Sequence, residues 1–266
     1  MTTPAPDSKA LLHAFQHQNV SLVVDSGNLN TYLQKMENFE SSHIEDMFLE
    51  QAEYPVLVSV FKRLDRVQNL VGHGNFNILG FDEMLRYSKQ YSSVGAFPKI
   101  ESEFLEKTFS INAKQYGFFG DKVIESLTSV VPKKDRKKMP RTGHFLYRGD
   151  SEALYLNVKK DIGPSIVLTS GIRNVVKQTH LFLAKTIQSK GNLSRASRSL
   201  APPGHSFHGI GDFDVGKVGF GGKNFTSDFS ETQEFQKLVE LGYVDMRYPL
   251  HNLLGVRYEP WHIKVV

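Results

Sequence analysis

The sequence predicts an α+β protein, a mostly helical first half followed by a second half in which helices alternate with short strands. Three observations lead there. Apolar residues recur at helical spacing through most of the first half. A densely charged run bracketed by prolines, Pro132 to Pro140, then interrupts the pattern. Beyond it, brief apolar segments stand among Gly- and Pro-rich loops, as strands of a small mixed or antiparallel sheet do.

Lys9 to Gln18 and Leu29 to Phe48 carry apolar residues at helical spacing, Tyr32, Leu33 and Met36 among them. Tyr54 to Val67 is apolar enough for a buried helix or strand, Gly72 to Gly80 reads as a turn-rich connection, and Phe81 to Tyr91 reads as a helix. A further helix is expected over Ile100 to Phe119, and Asp121 is placed to cap another over Lys122 to Val130. The Pro132 to Pro140 run suits an exposed connection between two units, and a domain boundary is placed there. In the second half, helices are expected over Ser151 to Asp161 and Asn174 to Ser189, with a strand at Ser165 to Thr169. Asp212 to Val218, Tyr243 to Tyr248 and the terminal Val256 to Val266 complete the strand candidates.

Composition excludes several chemistries. The 266 residues include no cysteine, so a metal site must be built from His, Asp and Glu, and cysteine nucleophiles are ruled out. The net charge of +4 is a mild excess that serves solubility, and no nucleic-acid-binding pattern accompanies it. No apolar run approaches the roughly 20 residues that span a bilayer. Met1 to Ala10 is polar and proline-containing, unlike a basic segment followed by an apolar one. The glycines of Gly216 to Gly222 lack the Gly-Lys-Ser/Thr ending of a phosphate loop, and no Gly-x-Ser-x-Gly nucleophile elbow occurs.

Two neighbourhoods concentrate the chemistry: Pro202 to Gly216, which contains His205, His208, Asp212 and Asp214, and Tyr258-Glu259-Pro260-Trp261-His262. A catalytic zinc takes three protein ligands and keeps a fourth position open. Two histidines, a nearby carboxylate and a spare glutamate supply every part, and His208, Asp214, His262 and Glu259 make that set. A lone histidine is more often structural, but clustering with glycines and the single tryptophan shifts the balance. Pro260 pushes Glu259 toward extended backbone, unlike the helical His-Glu-x-x-His signature. In a flat strand Glu259 and His262 would face opposite sides, so a shared site requires a bend near Pro260.

Ser206-x-His208-x-x-Gly211 followed by an aspartate, then Glu259-x-Trp261-His262, resembles the zinc D-alanyl-D-alanine carboxypeptidases, whose core is shared with bacterial wall endopeptidases and hedgehog signalling domains. Leu168-Thr169-Ser170-Gly171-Ile172-Arg173 with Gln178 is similar to the family's strand-to-helix segment. The resemblance covers about Thr142 to Val266. It implies a zinc metallopeptidase domain over 141–266 preceded by a helical region over 1–140, with a hedgehog/D-Ala-D-Ala-peptidase-like fold. It also implies that His208, Asp214 and His262 bind Zn2+, that Glu259 is the catalytic base, and that Arg173 contacts substrate and transition state. Ser206, Gln178 and Trp261 then line the substrate pocket. The family's aspartate follows its histidine by seven residues, whereas Asp212 follows His208 by four and Asp214 by six. Asp212 therefore stays open as the ligand, and a second register pairs His205 with Asp212. The implied substrate is a peptidoglycan stem peptide ending in D-Ala-D-Ala, with L,D-carboxypeptidase, endopeptidase or non-catalytic zinc binding as alternatives. Such a substrate implies a periplasmic or extracytoplasmic location, while a recycling role would be cytoplasmic.

Overall fold

The computed structural model describes residues 26–266, so the helix expected over Lys9 to Gln18 lies outside the described residues. The architecture is α+β, as predicted. The first half contributes α1 (Ser26–Glu37), α2 (Tyr54–Val71), the one-turn α3 (His73–Phe76), α4 (Phe81–Gln90) and α5 (Lys99–Ser110). A hairpin of β1 (Arg136–Lys138) and β2 (Phe145–Tyr147) follows, then α6 (Asp150–Ile162), β3 (Ile166–Ser170), α7 (Val175–Gln188) and α8 (Leu193–Ser199). The chain continues with β4 (Phe213–Lys217), α9 (Gln233–Glu240) and β5 (His262–Ile263).

Several segments depart from expectation for identifiable reasons. Helix α1 stops at Glu37, because residues 38–48 give their polar groups to a different partner. Buried Arg198 donates to the carbonyls of Phe39 and Ser41 and pairs with Asp46 at 2.8 Å. Tyr54 to Val67 is helical, with Pro55 in the first turn, where a missing N–H costs nothing. Helix α5 ends at Ser110 instead of Phe119, since the Asn112 side chain takes the Lys114 N–H into a 3-10 turn closed by left-handed Gly117. Asp121 caps no helix; the N–H groups of Val123 and Ile124 both go to the Gly204 carbonyl. Helices α8 and α9 and the β1–β2 hairpin were not foreseen. Tyr243 to Tyr248 forms one isolated bridge, Met246 to Ile263, rather than a strand, and the terminal strand shrinks to two residues.

The site rests on the antiparallel sheet β3-β4-β5. Phe213, Val215, Leu168 and Ile263 point into a core shared with Tyr155 and Val158 of α6 and Leu238 of α9. Alternation along a strand sends the intervening Asp214 and His262 to the other face. A second core joins α2, α4 and α5 to Val176 and Leu183 of α7, so the first-half helices brace the helix that begins beside the sheet.

Candidate metal centre and cleft

Register builds the site. Asp214 is the cross-strand partner of Ser170 on β3 and of His262 on β5, which sets the aspartate and the histidine side by side on one face. His208 arrives from the loop before β4, on a 3-10 turn over Phe207–Gly209. The backbone turns at Pro260-Trp261, with the His262 N–H donating to the Glu259 carbonyl at 3.2 Å. That bend brings the Glu259 carboxylate to 3.9 Å from His262 Nδ1.

His208 Nε2 lies 3.1 Å from Asp214 Oδ1, and His262 Nδ1 lies 3.2 Å from the same oxygen. One donor atom from each of the three residues falls within 4.8 Å of the others, and all three residues are buried. The outer ring nitrogens fix the tautomers. His208 Nδ1–H donates to the Gly171 carbonyl at 2.8 Å, and His262 Nε2–H donates to Asp212 at 2.9 Å. With each outer nitrogen donating, both inner nitrogens face the convergence point, where a metal ion would take their lone pairs in place of a proton, the arrangement expected of metal-binding histidines. His262 Nδ1 is buried and makes no well-aligned hydrogen bond, Asp214 Oδ1 being the acceptor beside it. Two imidazole nitrogens and a carboxylate converging on one point, one of the nitrogens without a well-aligned hydrogen bond, fit a zinc ion.

The two aspartates occupy different positions. Asp214 faces the convergence point. Asp212 sits behind His262, where it pairs with Arg247 at 3.0 Å and accepts the Val265 N–H at 2.8 Å. His205 is directed away, its Nδ1 3.1 Å from the carbonyls of Gly120 and Asp121.

Electrostatics follow from burial. Removal from water alone would favour the neutral form of His262, but the carboxylates of Asp212 and Asp214 overcome this and raise it to about 9. The pocket thus attracts positive charge. Burial and the Arg173 guanidinium push His208 down to about 4, and burial lifts Glu259 to about 7. Asp214 is buried too, yet His208, His262 and Arg173 hold it well below the usual carboxylate range.

Arg173, just before α7, reaches Asp214 at 3.3 Å and Gln178 at 3.4 Å, while its Nε is buried without a partner. Gln178 also donates to the Ala201 carbonyl. Trp261 is buried in the wall, edge-on to Phe225. The eight residues assigned to the site from the sequence (Arg173, Gln178, Ser206, His208, Asp214, Glu259, Trp261 and His262) border one cavity of about 490 Å³, which His205 and Asp212 do not line. Sequence reasoning missed Tyr248, whose ring packs against His262, and Arg257, which lies 4.9 Å from the Trp261 ring. It also missed His73, Asn77 and His144, which reach the cavity from outside the recognised motifs. No local pattern marks these positions.

Residues 151–266 match the family model of VanY, D-alanyl-D-alanine carboxypeptidase. That segment of the chain is similar to the family. No curated protein matches the chain significantly. Among solved structures, the chain is similar to VanYB in complex with D-alanine-D-alanine, at 20% identity and a TM-score of 0.44, covering 57% of this chain and 86% of that one. It is also similar to a Glu-to-Ala mutant of the vancomycin-resistance D,D-pentapeptidase VanY in complex with Zn(II), at 21% identity and a TM-score of 0.40, covering 51% and 82%. The L,D-carboxypeptidase LdcB aligns at 20% identity and a TM-score of 0.40 over 49% of this chain, and the chain spans 63% of LdcB. The matched segment contains all eight site residues foreseen from the sequence, whereas His73, Asn77 and His144 precede it.

Proposed function

We propose that the chain is a zinc-dependent D-alanyl-D-alanine carboxypeptidase that removes the terminal residue from peptidoglycan stem peptides. The observation that carries this reading is the convergence of His208 Nε2, His262 Nδ1 and Asp214 Oδ1 beside the carboxylate of Glu259. His208, Asp214 and His262 would hold the metal. Bound there, zinc supplies Lewis acidity, which makes water a better nucleophile at neutral pH and polarises a carbonyl.

The chain's own residues do the rest. Glu259, raised to about 7 by burial, is poised to take a proton from the attacking water and return it to the leaving amine. Arg173, held beside Asp214, supplies a fixed positive charge to the oxygen that becomes anionic as the carbonyl turns tetrahedral. One well-placed donor of this kind contributes about 3 kcal/mol. Trp261 and Ser206 shape the walls of the cleft, and Gln178 steadies Arg173. A base next to the donor cluster favours a catalytic over a purely structural zinc centre. A cell-wall substrate places the work in the periplasm or beyond. No helix among the described residues is long and apolar enough to cross a membrane.

The test is the zinc content of the purified protein together with D-Ala release from a stem peptide ending in D-Ala-D-Ala, comparing wild type with Glu259→Ala. About one zinc per chain, with release by wild type alone, supports the reading. Absence of zinc binding even when the metal is supplied overturns it.

A further inference from the structure

The net positive charge of the chain is concentrated in one element. Seven of the 32 lysines and arginines, but only one of the 28 acids, lie between Lys133 and Arg148, so these 16 residues carry +6 and the remaining 250 carry −2. They build the β1–β2 hairpin and its open end. Elsewhere, surface lysines have acidic partners: Lys107 pairs with Glu53 at 2.6 Å, and Lys264 with Asp245 at 2.8 Å. None of the seven hairpin cations pairs with a carboxylate among the described residues. Charged side chains on an edge strand discourage pairing with another chain, but Lys133, Lys134, Arg141 and Arg148 lie outside the strands and serve no such purpose.

The hairpin is fixed against the site. The Ile172 N–H donates to the Phe145 carbonyl at 2.7 Å, and the Tyr147 hydroxyl donates to the Gly209 carbonyl, next to His208. Its turn reaches the cleft, where Thr142, Gly143 and His144 form part of the wall. The distribution of charge then selects the partner. Cross-strand pairing puts Arg136 and Lys138 on the face of Tyr147 and Phe145, and Lys137 on the face of Leu146. Arg141 stands in the turn, and Lys133, Lys134 and Arg148 stand at the open end. A lipid surface meets only one face of such a ridge, whereas a flexible polymer follows cations around it. Peripheral membrane anchoring also draws on apolar side chains, and among the described residues no large apolar side chain between Lys133 and Arg148 is exposed.

We propose that this hairpin docks the wall polymer that bears the substrate peptides, a polyanion to which every peptide adds carboxylate charge, and so directs the enzyme to polymer-linked peptides over free ones. This rests on the hydrolytic reading above. The hairpin precedes the matched segment 151–266 and serves it from outside. Holding the polymer beside the cleft makes delivery of the next peptide a local event at high effective concentration. The attraction is electrostatic and weakens with salt, because exposed charges are screened over about 10 Å at roughly 0.1 M. The hairpin takes no part in bond cleavage.

The experiment sediments the full chain, in a Glu259→Gln background, with purified peptidoglycan stripped of lipid, protein and phosphate polymers. The charge variant combines Lys133→Gln, Lys134→Gln, Lys138→Gln and Arg141→Asn, all at exposed positions, asparagine being suited to the positive φ of Arg141. Loss of these cations should weaken binding about 10- to 100-fold, as should raising salt from about 0.05 M to about 0.5 M for the uncharged-variant parent. In the active chain the same substitutions should lower D-Ala release from the polymer by about 10-fold or more, and leave a soluble peptide ending in D-Ala-D-Ala within about threefold. Unchanged binding to the polymer, equal loss on both substrates, or tighter binding to phosphatidylglycerol vesicles or polyphosphate than to the polymer overturns the docking surface. If wild type releases D-Ala from neither substrate, the hydrolytic reading fails. Sedimentation then decides the docking surface by itself: charge-dependent binding to the polymer sustains it, and absence of such binding refutes it.

Discussion

Replacing Asp212 with Asn tests how the centre is supported. Asp212 is fully buried and binds five donors: His262 Nε2 at 2.9 Å, Arg247 Nε at 3.0 Å and Nη2 at 3.4 Å, the Val265 N–H at 2.8 Å and the Val266 N–H at 3.4 Å. The amide preserves shape and one acceptor oxygen but loses the charge and turns an NH2 toward groups that are themselves donors. Arg247, stacked 3.6 Å from the Phe207 ring centroid, is left without its counter-ion. Breaking a buried ion pair from one side costs about 3–5 kcal/mol, and retained hydrogen bonds to Oδ1 bring the expected loss to about 2–4 kcal/mol. Freed from its acceptor, His262 also loses its fixed tautomer, which should weaken metal binding 10- to 100-fold. Asp214→Asn, at the convergence point itself, should weaken it far more. Zinc affinity by chelator competition and stability by urea denaturation read the two effects separately. Unchanged zinc affinity in Asp212→Asn, or a greater loss there than in Asp214→Asn, would refute this division of roles.

Three further outcomes are expected. Gly171→Ala places a Cβ 2.0 Å from the Phe145 carbonyl and displaces the very residue whose own carbonyl orients His208, so it should cost about 1–3 kcal/mol and reduce zinc affinity; thermal melts and metal titration check both. Burial alone would raise the Asp46 carboxyl, but hydrogen bonds from Arg198 and Asn192 carry it down to about 2. Its stabilisation is therefore complete above the unfolded value near 3.8 and is lost as pH falls through about 2, and Arg198→Met should flatten this part of the stability profile in urea melts between pH 6 and pH 2. Removing zinc with a chelator should lower Tm, since metal at 100 times its Kd stabilises by about 2.7 kcal/mol; resupply should restore it in wild type and leave Asp214→Ala unmoved.

The sequence was most readable where one physical rule acts alone. Helix α4 and the second-half helices α6 and α7 follow their apolar periodicity, and Asn174 caps α7 as its residue type suggests. The triad of donor residues was visible because metal chemistry restricts ligand types so tightly. What escaped depended on distant partners. Residues 38–48 have helical spacing, but Arg198, far along the chain, holds their carbonyls in a loop. Likewise, the spacing between His208 and the two aspartates leaves the ligand open, because only strand pairing places Asp214 opposite His262 and sends Asp212 behind it. The cavity wall from His73, Asn77 and His144 had no local signal at all, since its members meet through tertiary packing of the first-half helices.

The pairing of Asp214 with both Ser170 and His262 also constrains how such a chain can change length. Side chains on a strand alternate, so adding or deleting one residue within Phe213–Lys217 would swing the carboxylate into the apolar layer and drive Phe213 or Val215 toward the donors. The turn between His208 and β4 is free of that parity. A change of length there is expected to leave the paired row of the sheet in place, whereas one within Phe213–Lys217 breaks it, and the folding of single-residue deletions in the two segments checks this.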